Sequence, residues 1–314
     1  MNSKDEKYVK RVIPELNKQP KAKGLLDYIP DTNELSISEY TISYHTIKIK
    51  SIGKYDLEKY KELISIAIIT ATSDEKETVL ENMEPLVNED NILKSTIKNL
   101  TVYLGRIGLY PIILTRSESG VYSLESVFFS CEDLYSYFEP KVAILYGIAF
   151  GLKENCQNIG DVLISERIIP YERVKYHRGE TIDRAPRFES SGLLKNRFKE
   201  VSDSQWDFAL PNGEQAKAFF GIILSGEILH NDKVRRDELK SRFNEAIGGE
   251  MEGAGFAITS IRNDVNWIVV KGICDWGYNK GDENHKLACE TAISLILTVF
   301  RDPHVFESID IQPT

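Results

Sequence analysis

Two glutamates bracket a methionine at Glu250-Met251-Glu252, between Gly248-Gly249 and Gly253-Ala254. Alternate side chains of an extended backbone share a face, so Glu-x-Glu aims both carboxylates to one side. Further on, the apolar run Trp267-Ile268-Val269-Val270 ends in Lys271-Gly272-Ile273-Cys274-Asp275. An Asp just past a buried strand stands where α/β sheets hold their ligands. Ionised carboxylates accept hydrogen bonds from hydroxyls, and a protonated one also donates. Acids so placed suit a ligand that is rich in hydroxyls and needs a proton donor, which points to a nucleoside. The competing structural readings are a solvated acidic turn for the glutamate pair and an N-cap for Asp275.

Such residues need a rigid frame, and the chain supplies one from Leu63 onward, where apolar strands alternate with amphipathic helices. Strands are predicted at 64–70, 101–104, 110–115, 142–146, 161–169, 219–224 and 267–273. Helices are predicted at 74–82, 121–138, 233–243, 255–262 and 287–300, with a long polar loop over 170–190. Residues 1–61 are polar and charged, with alternating patterns around Leu35 and Tyr40 that read as short strands. They are expected to form an N-terminal appendage docked on the main domain or on a protein partner. The catalytic domain is expected to span 62–302, with 303–314 as a C-terminal tail.

The 314 residues are 42% hydrophobic, enough for one large α/β domain, and carry a net charge of −9. An isoelectric point near 5.3 argues against a general nucleic-acid binder. Four scattered cysteines lack the CxxC spacing of a zinc site or disulfide framework. The charged N-terminus holds no apolar run of signal-peptide or membrane-spanning length, so a cytoplasmic location with no membrane contact is expected.

In order along the chain stand Ile68-Ile-Thr-Ala-Thr-Ser-Asp-Glu75, Gly147-Ile-Ala-Phe-Gly-Leu152 with Ile159-Gly-Asp-Val162, Leu224-Ser-Gly-Glu227, Glu250-Met-Glu-Gly-Ala254 and Lys271-Gly-Ile-Cys-Asp275. This succession resembles the purine nucleoside phosphorylase and methylthioadenosine/adenosylhomocysteine nucleosidase superfamily over about residues 64–300. The resemblance implies a three-layer α/β/α fold around a central mixed, twisted sheet. It also implies cleavage of a purine N-glycosidic bond without metal or organic cofactor. By the same resemblance Asp275 is the general acid toward the purine, a role that needs a carboxyl able to hold a proton. Glu250, Met251 and Glu252 grip the ribose, and Glu75 is the base that activates water. Ser119 and Gly120 line the nucleophile end, while Phe150 and Leu229 shape the base pocket. His230 reads as a rim or structural residue. Glu75 could equally be an ordinary acid in the first turn of a helix, favoured by the helix dipole.

Hydrolysis is favoured over phosphorolysis because the loop Thr70-Ala-Thr-Ser-Asp-Glu75 has neither the glycine-rich segment nor the Arg typical of phosphorylases. Leu145 and Ile148 also stand where the hexameric phosphorylases place Arg and Ser. Two alternatives remain: a phosphorylase with a differently built phosphate site, and a catalytically inactive nucleotide sensor. The loop Tyr171-Glu-Arg-Val-Lys-Tyr-His-Arg178, followed by Arg184 and Arg187, is basic for so acidic a protein. It reads either as a solvated surface loop or as a site where Arg173 and Lys175 hold a 5′-phosphate. The phosphate reading turns the substrate into a nucleotide such as AMP or ATP, as in relatives that serve as antiphage effectors. The family's habit of assembly implies a homo-oligomer.

Overall fold

The computed structural model describes residues 36–37, 40–41, 48–120, 123, 125–178, 180–227, 231–278 and 280–314. The chain forms two compact units, Met1–Thr46 and Ile47–Thr314. In the first, β1 (Ser36–Ile37) and β2 (Tyr40–Thr41) pair antiparallel, at the positions of the expected short strands.

The second unit begins earlier than the expected boundary at residue 62. Its first strand, β3 (Ile49–Ser51), is followed by the short helix α1 (Lys54–Leu57), whose Leu57 is fully buried. Then come β4 (Ile66–Thr70), α2 (Ser73–Glu81), β5 (Ile92–Ile97), β6 (Leu100–Ile107) and β7 (Tyr110–Arg116). Because β3 pairs in parallel with β5, residues 49–51 belong to the main sheet, not to an appendage. Helix α3 (Val127–Phe138), the long strand β8 (Val142–Gly151) and β9 (Val162–Pro170) follow. The segment expected as a loop holds a hairpin, β10 (Val174–His177) with β11 (Glu180–Asp183), and then β12 (Phe188–Glu189). Helix α4 (Gly192–Ser204) leads to β13 (Ala218–Ser225), α5 (Lys233–Arg242), β14 (Ala246–Glu250), α6 (Gly253–Arg262), β15 (Asn266–Asp275) and α7 (His285–Val299).

The eleven-stranded sheet runs β12-β9-β13-β14-β8-β4-β7-β6-β5-β3, and β15 lies between β8 and β9, parallel to the first and antiparallel to the second. Since β14 also pairs with the end of β8, through Gly248 with Gly151 and Gly249 with Phe150, five strands close into a ring beside the open sheet. Strand alternation splits the core in two. Ile66, Ile68, Val142, Ile144, Ile268 and Val270 face α2, α4 and α7, while Ala67, Ile69, Leu145, Trp267 and Val269 face α3 and α6. Each fully buried Ile or Leu contributes roughly 1.5–3 kcal/mol to holding these layers together.

Residues 303–314 are not a free tail. Val305, Phe306 and Ile311 are buried, and the Tyr110 ring stands edge-on to Phe300 and Phe306 at 5.7 and 4.9 Å. Among the described residues no helix is long and apolar enough to cross a membrane.

Candidate active site

The ends of β4, β8, β14 and β15 converge on one cavity of about 310 Å³. Its walls include Glu75, Ser119, Phe150, Glu250, Met251, Glu252 and Asp275, and also Lys271, Lys280 and His285. Residues as far apart in the chain as Glu75 and His285 thus meet in one space, as expected at the carboxyl ends of sheet strands.

Glu75 belongs to the first turn of α2. Its N–H donates to Thr72 Oγ1 at 3.3 Å and its carboxylate reaches back to the Thr72 N–H, forming a capping box. The carboxylate is only 1% exposed and does more than cap. Oε2 accepts from Ala71 N–H at 2.7 Å and Thr72 N–H at 2.9 Å, while Oε1 accepts from Ile148 N–H at 2.9 Å. A carboxylate has about four acceptor sites, so Oε1 keeps one for a molecule in the cavity. The approach to β8 requires Gly147, where a Cβ would sit 2.0 Å from Oε1. Ile148 therefore serves the site through its backbone N–H.

The two glutamates converge by a different geometry from the one alternation predicts. Glu250 ends β14, but Glu252 has helical dihedrals (φ −110°, ψ −27°) as the N-cap of α6. The Glu250 carboxylate folds over the helix start and accepts the N–H groups of Glu252 (2.9 Å) and Gly253 (2.8 Å). That placement satisfies donors that a helix N-terminus leaves unpaired. Glu252 Oε1 accepts from Gly120 N–H at 3.3 Å, so Gly120 positions this carboxylate.

Between the acids lies Lys271, 1% exposed and in mid-strand, its Nζ 2.7 Å from Glu252 Oε2 and 3.6 Å from Glu250 Oε2. Burial opposes its charge, yet Glu252 and Glu250, with Glu75 beyond, outweigh burial and hold the ammonium well above its ordinary range. Burial lifts the Glu250 carboxyl to about 7, against the pull of Lys271. Lys271 is the site residue that spacing arguments miss. It ends an apolar run, and its buried charge has meaning only beside carboxylates from another strand.

Asp275 closes β15 just after a bulge: Ile273 pairs with Ala149 and Asp275 with Phe150, leaving Cys274 as the extra residue. Bulges re-aim side chains. Asp275 Oδ1 accepts the Gly277 N–H at 2.6 Å, and Oδ2 accepts the Cys274 S–H at 3.3 Å. Burial, with Asp275 adjacent, pushes the Cys274 thiol well above its ordinary range, so it stays a donor. Phe150 lies against Gly249, with Lys280 Nζ 5.7 Å from its ring centroid.

A second cavity of about 240 Å³ adjoins the first, sharing Gly226 and Met251, and is lined also by Glu172, Arg173, Ser225 and Glu227. Arg173 is therefore near the site. Lys175 is exposed on β10 and lines neither cavity, so the structure does not bring the two together. Leu229 and His230 lie outside the described residues. No arginine lines the larger cavity among the described residues, and its buried cation is already paired. Among the described residues no cluster of His, Cys, Asp or Glu is arranged to hold a metal ion.

Residues 65–301 match a family model described as the phosphorylase superfamily. A death domain-containing ATP nucleosidase from Amphimedon queenslandica is 26% identical over 260 residues, covering 74% of this chain. The chain spans about half of that relative's length, 48%. A 5′-methylthioadenosine/S-adenosylhomocysteine nucleosidase from Staphylococcus epidermidis is 25% identical over 218 residues, covering 68% of this chain and 88% of the relative. Among solved structures, an S-adenosylhomocysteine nucleosidase from Streptococcus pyogenes superposes with a TM-score of 0.62 at 21% identity, over 76% of this chain and 96% of that one. Futalosine hydrolase of Helicobacter pylori superposes with a TM-score of 0.61 at 20% identity, over 76% and 97%. These superpositions establish the fold.

Proposed function

The chain belongs to the phosphorylase superfamily, and from that premise we propose that it hydrolyses the N-glycosidic bond of a purine nucleoside or nucleotide. The supporting observation is the meeting, in one cavity, of a buried carboxylate with a spare acceptor site, a lysine-braced carboxylate and a strand-end acid.

In this reading the ribose hydroxyls donate to Glu252, whose position Lys271 and the Gly120 N–H fix. Met251 packs on the sugar, and Glu250 holds the start of α6 in place. As the C1′–N9 bond lengthens, positive charge builds on the ribose and negative charge on the purine. Asp275 gives its proton to N7, and the bond's electron pair leaves with the base. A water on the opposite face loses a proton to Glu75 Oε1 and its oxygen bonds to C1′, giving free purine and ribose or ribose phosphate. Fixed backbone dipoles around Glu75 need no reorganisation during the step. Water needs only this base. A phosphate dianion would need a cationic clamp, and Lys271, paired with Glu252, does not supply one, while Lys280 of the same cavity stands over the Phe150 ring.

Incubation with adenosine, 5′-methylthioadenosine, AMP and ATP, with and without inorganic phosphate, tests the proposal. Free base without phosphate is the expected product. Strict phosphate dependence would identify a phosphorylase, and binding without release of base a sensor.

Arg173 in the adjoining cavity favours a nucleotide over a plain nucleoside, since its guanidinium can fork onto phosphate oxygens. Arg173→Ala is expected to lower turnover of AMP and ATP about tenfold while sparing adenosine, with Lys175→Ala as a neutral control. Equal losses on all three sink the phosphate reading. Nucleotide destruction of this kind fits an antiphage effector acting as a homo-oligomer.

A further inference from the structure

Outside the cavity, a polar cluster built around one buried arginine fastens the turn that follows Asp275. Arg236 of α5 is 2% exposed, although arginines are seldom fully buried. Its Nη2 donates to Glu154 Oε1 at 2.6 Å, and the Tyr278 hydroxyl donates to the same oxygen at 2.6 Å. The guanidinium carbon stands 4.9 Å from the Tyr278 ring centroid, a cation–π distance. Gly277 rests on the arginine stem: at φ +75° its Cβ would come 3.1 Å from Arg236 Cγ. Three residues after Gly277, Lys280 N–H donates to Asn231 Oδ1 at 3.2 Å, before α5 begins. Neither Arg236, Glu154, Gly277 nor Tyr278 lines the catalytic cavity.

Stability alone is a poor account of this cluster. The Arg236 Nε is buried with no hydrogen-bond partner among the described residues, and its acidic partners Glu154 and Asp237 are 34% and 53% exposed, so these ion pairs are partly screened by solvent and contribute little to stability. What the cluster does supply is the position of one N–H. Gly277 N–H is the donor on Asp275 Oδ1, so the turn sets the carboxyl plane and decides which oxygen faces the ligand. We propose that Arg236, through Glu154 and Tyr278, is a positioning residue that clamps the 276–278 turn and thereby aims Asp275 at the leaving base. The proposal rests on Asp275 acting as the acid in the reaction described above.

The test compares Arg236→Met, Arg236→Lys, Tyr278→Phe and Asp275→Asn. Each is assayed on a purine substrate cleaved by the wild type and on p-nitrophenyl riboside, whose leaving group departs as a stable anion. Misaiming an acid costs part of the roughly 10²–10⁴-fold that acid catalysis provides. Arg236→Met should therefore lower kcat on the purine roughly 10- to 100-fold with KM changed less than about threefold. Tyr278→Phe should do the same more weakly, and Arg236→Lys should recover part of the loss. Arg236→Met, Arg236→Lys and Tyr278→Phe should cleave p-nitrophenyl riboside within about threefold of the wild type, which also shows that they fold.

If the wild type does not turn over the riboside, the split between kcat and KM on the purine decides, with thermal melting as the check on folding. Unchanged kcat in Arg236→Met, a loss carried by KM, or equal losses on both substrates overturns the proposal. Asp275→Asn with full purine hydrolysis overturns the acid assignment itself. An inactive Asp275→Asn beside an unimpaired Arg236→Met overturns only the positioning role.

Discussion

Glu75 is held by three backbone N–H groups, from Ala71, Thr72 and Ile148, so its geometry survives only while all acceptor positions remain oxygen. Glu75→Gln must turn an NH₂ against one of these donors and also loses the base. The expected result is a fall in kcat of roughly 10²–10⁴-fold, while calorimetry still detects purine nucleoside binding. Retained turnover would remove Glu75 from the reaction. Lys271→Met leaves two buried carboxylates facing each other without their cation. Such a loss costs about 3–5 kcal/mol, read as a lower denaturant midpoint, with activity lost as well. Glu250 gives a pH signature. Its folded value of about 7 lies above the ordinary 4.5, so between these pH values the folded protein holds a proton that the unfolded chain has lost. Stability from this group is thus full below pH 4.5 and declines as pH rises through 7. Glu250→Gln should flatten that decline, by up to about 3 kcal/mol at pH 8; identical melting-versus-pH curves for the two proteins would refute it. The acids themselves were legible in the chain because Glu-Met-Glu and a strand-end Asp are local patterns. Lys271 was not, and Gly120, legible as a site residue at the nucleophile end, serves Glu252 through its N–H, since both meanings come from partners on distant elements.

The site depends on local backbone features: a bulge at Cys274, a glycine in β8 where the Glu75 carboxylate closes in, and a helix start capped from the preceding strand. Gly147→Ala places a methyl group where the Glu75 carboxylate now sits, so the carboxylate or β8 must move. Activity should fall at least a hundredfold, in line with the effect of about 1 Å of misplacement. The wild-type rate in Gly147→Ala would show that the close approach is dispensable. Local pattern located the central strands well, because fully apolar runs such as Ile66–Thr70 have few other fates. Strand β5 escaped, as Ile92–Ile97 carries Lys94 and Thr96 and is recognisable only through its neighbours β3 and β6. Helix α4 was within reach: Leu194, Phe198 and Val201 stand at helical spacing and are its buried residues. The hairpin inside 170–190 was not, because its strands are short, charged and largely exposed.

Charge and composition bounded the class of protein, and the order of motifs carried the family. What they could not carry was the extent of the main unit. Residues 47–61 look polar in the chain, yet β3 extends the sheet edge and Leu57 enters the core. Every described residue assigned to the site lies within Ile47–Thr314. A protein lacking residues 1–46 should therefore melt cooperatively and release purine at the full-length rate, measured by calorimetry and product assay. Loss of both would mean that the first unit completes the fold. The seating of β15 between β8 and β9 has a further consequence for how the protein comes into being. β15 is the last strand of the chain, and both Lys271 and Asp275 lie on it. A chain made only as far as α6 therefore lacks both the lysine and the acid that the proposed reaction needs, however much of the sheet it has formed.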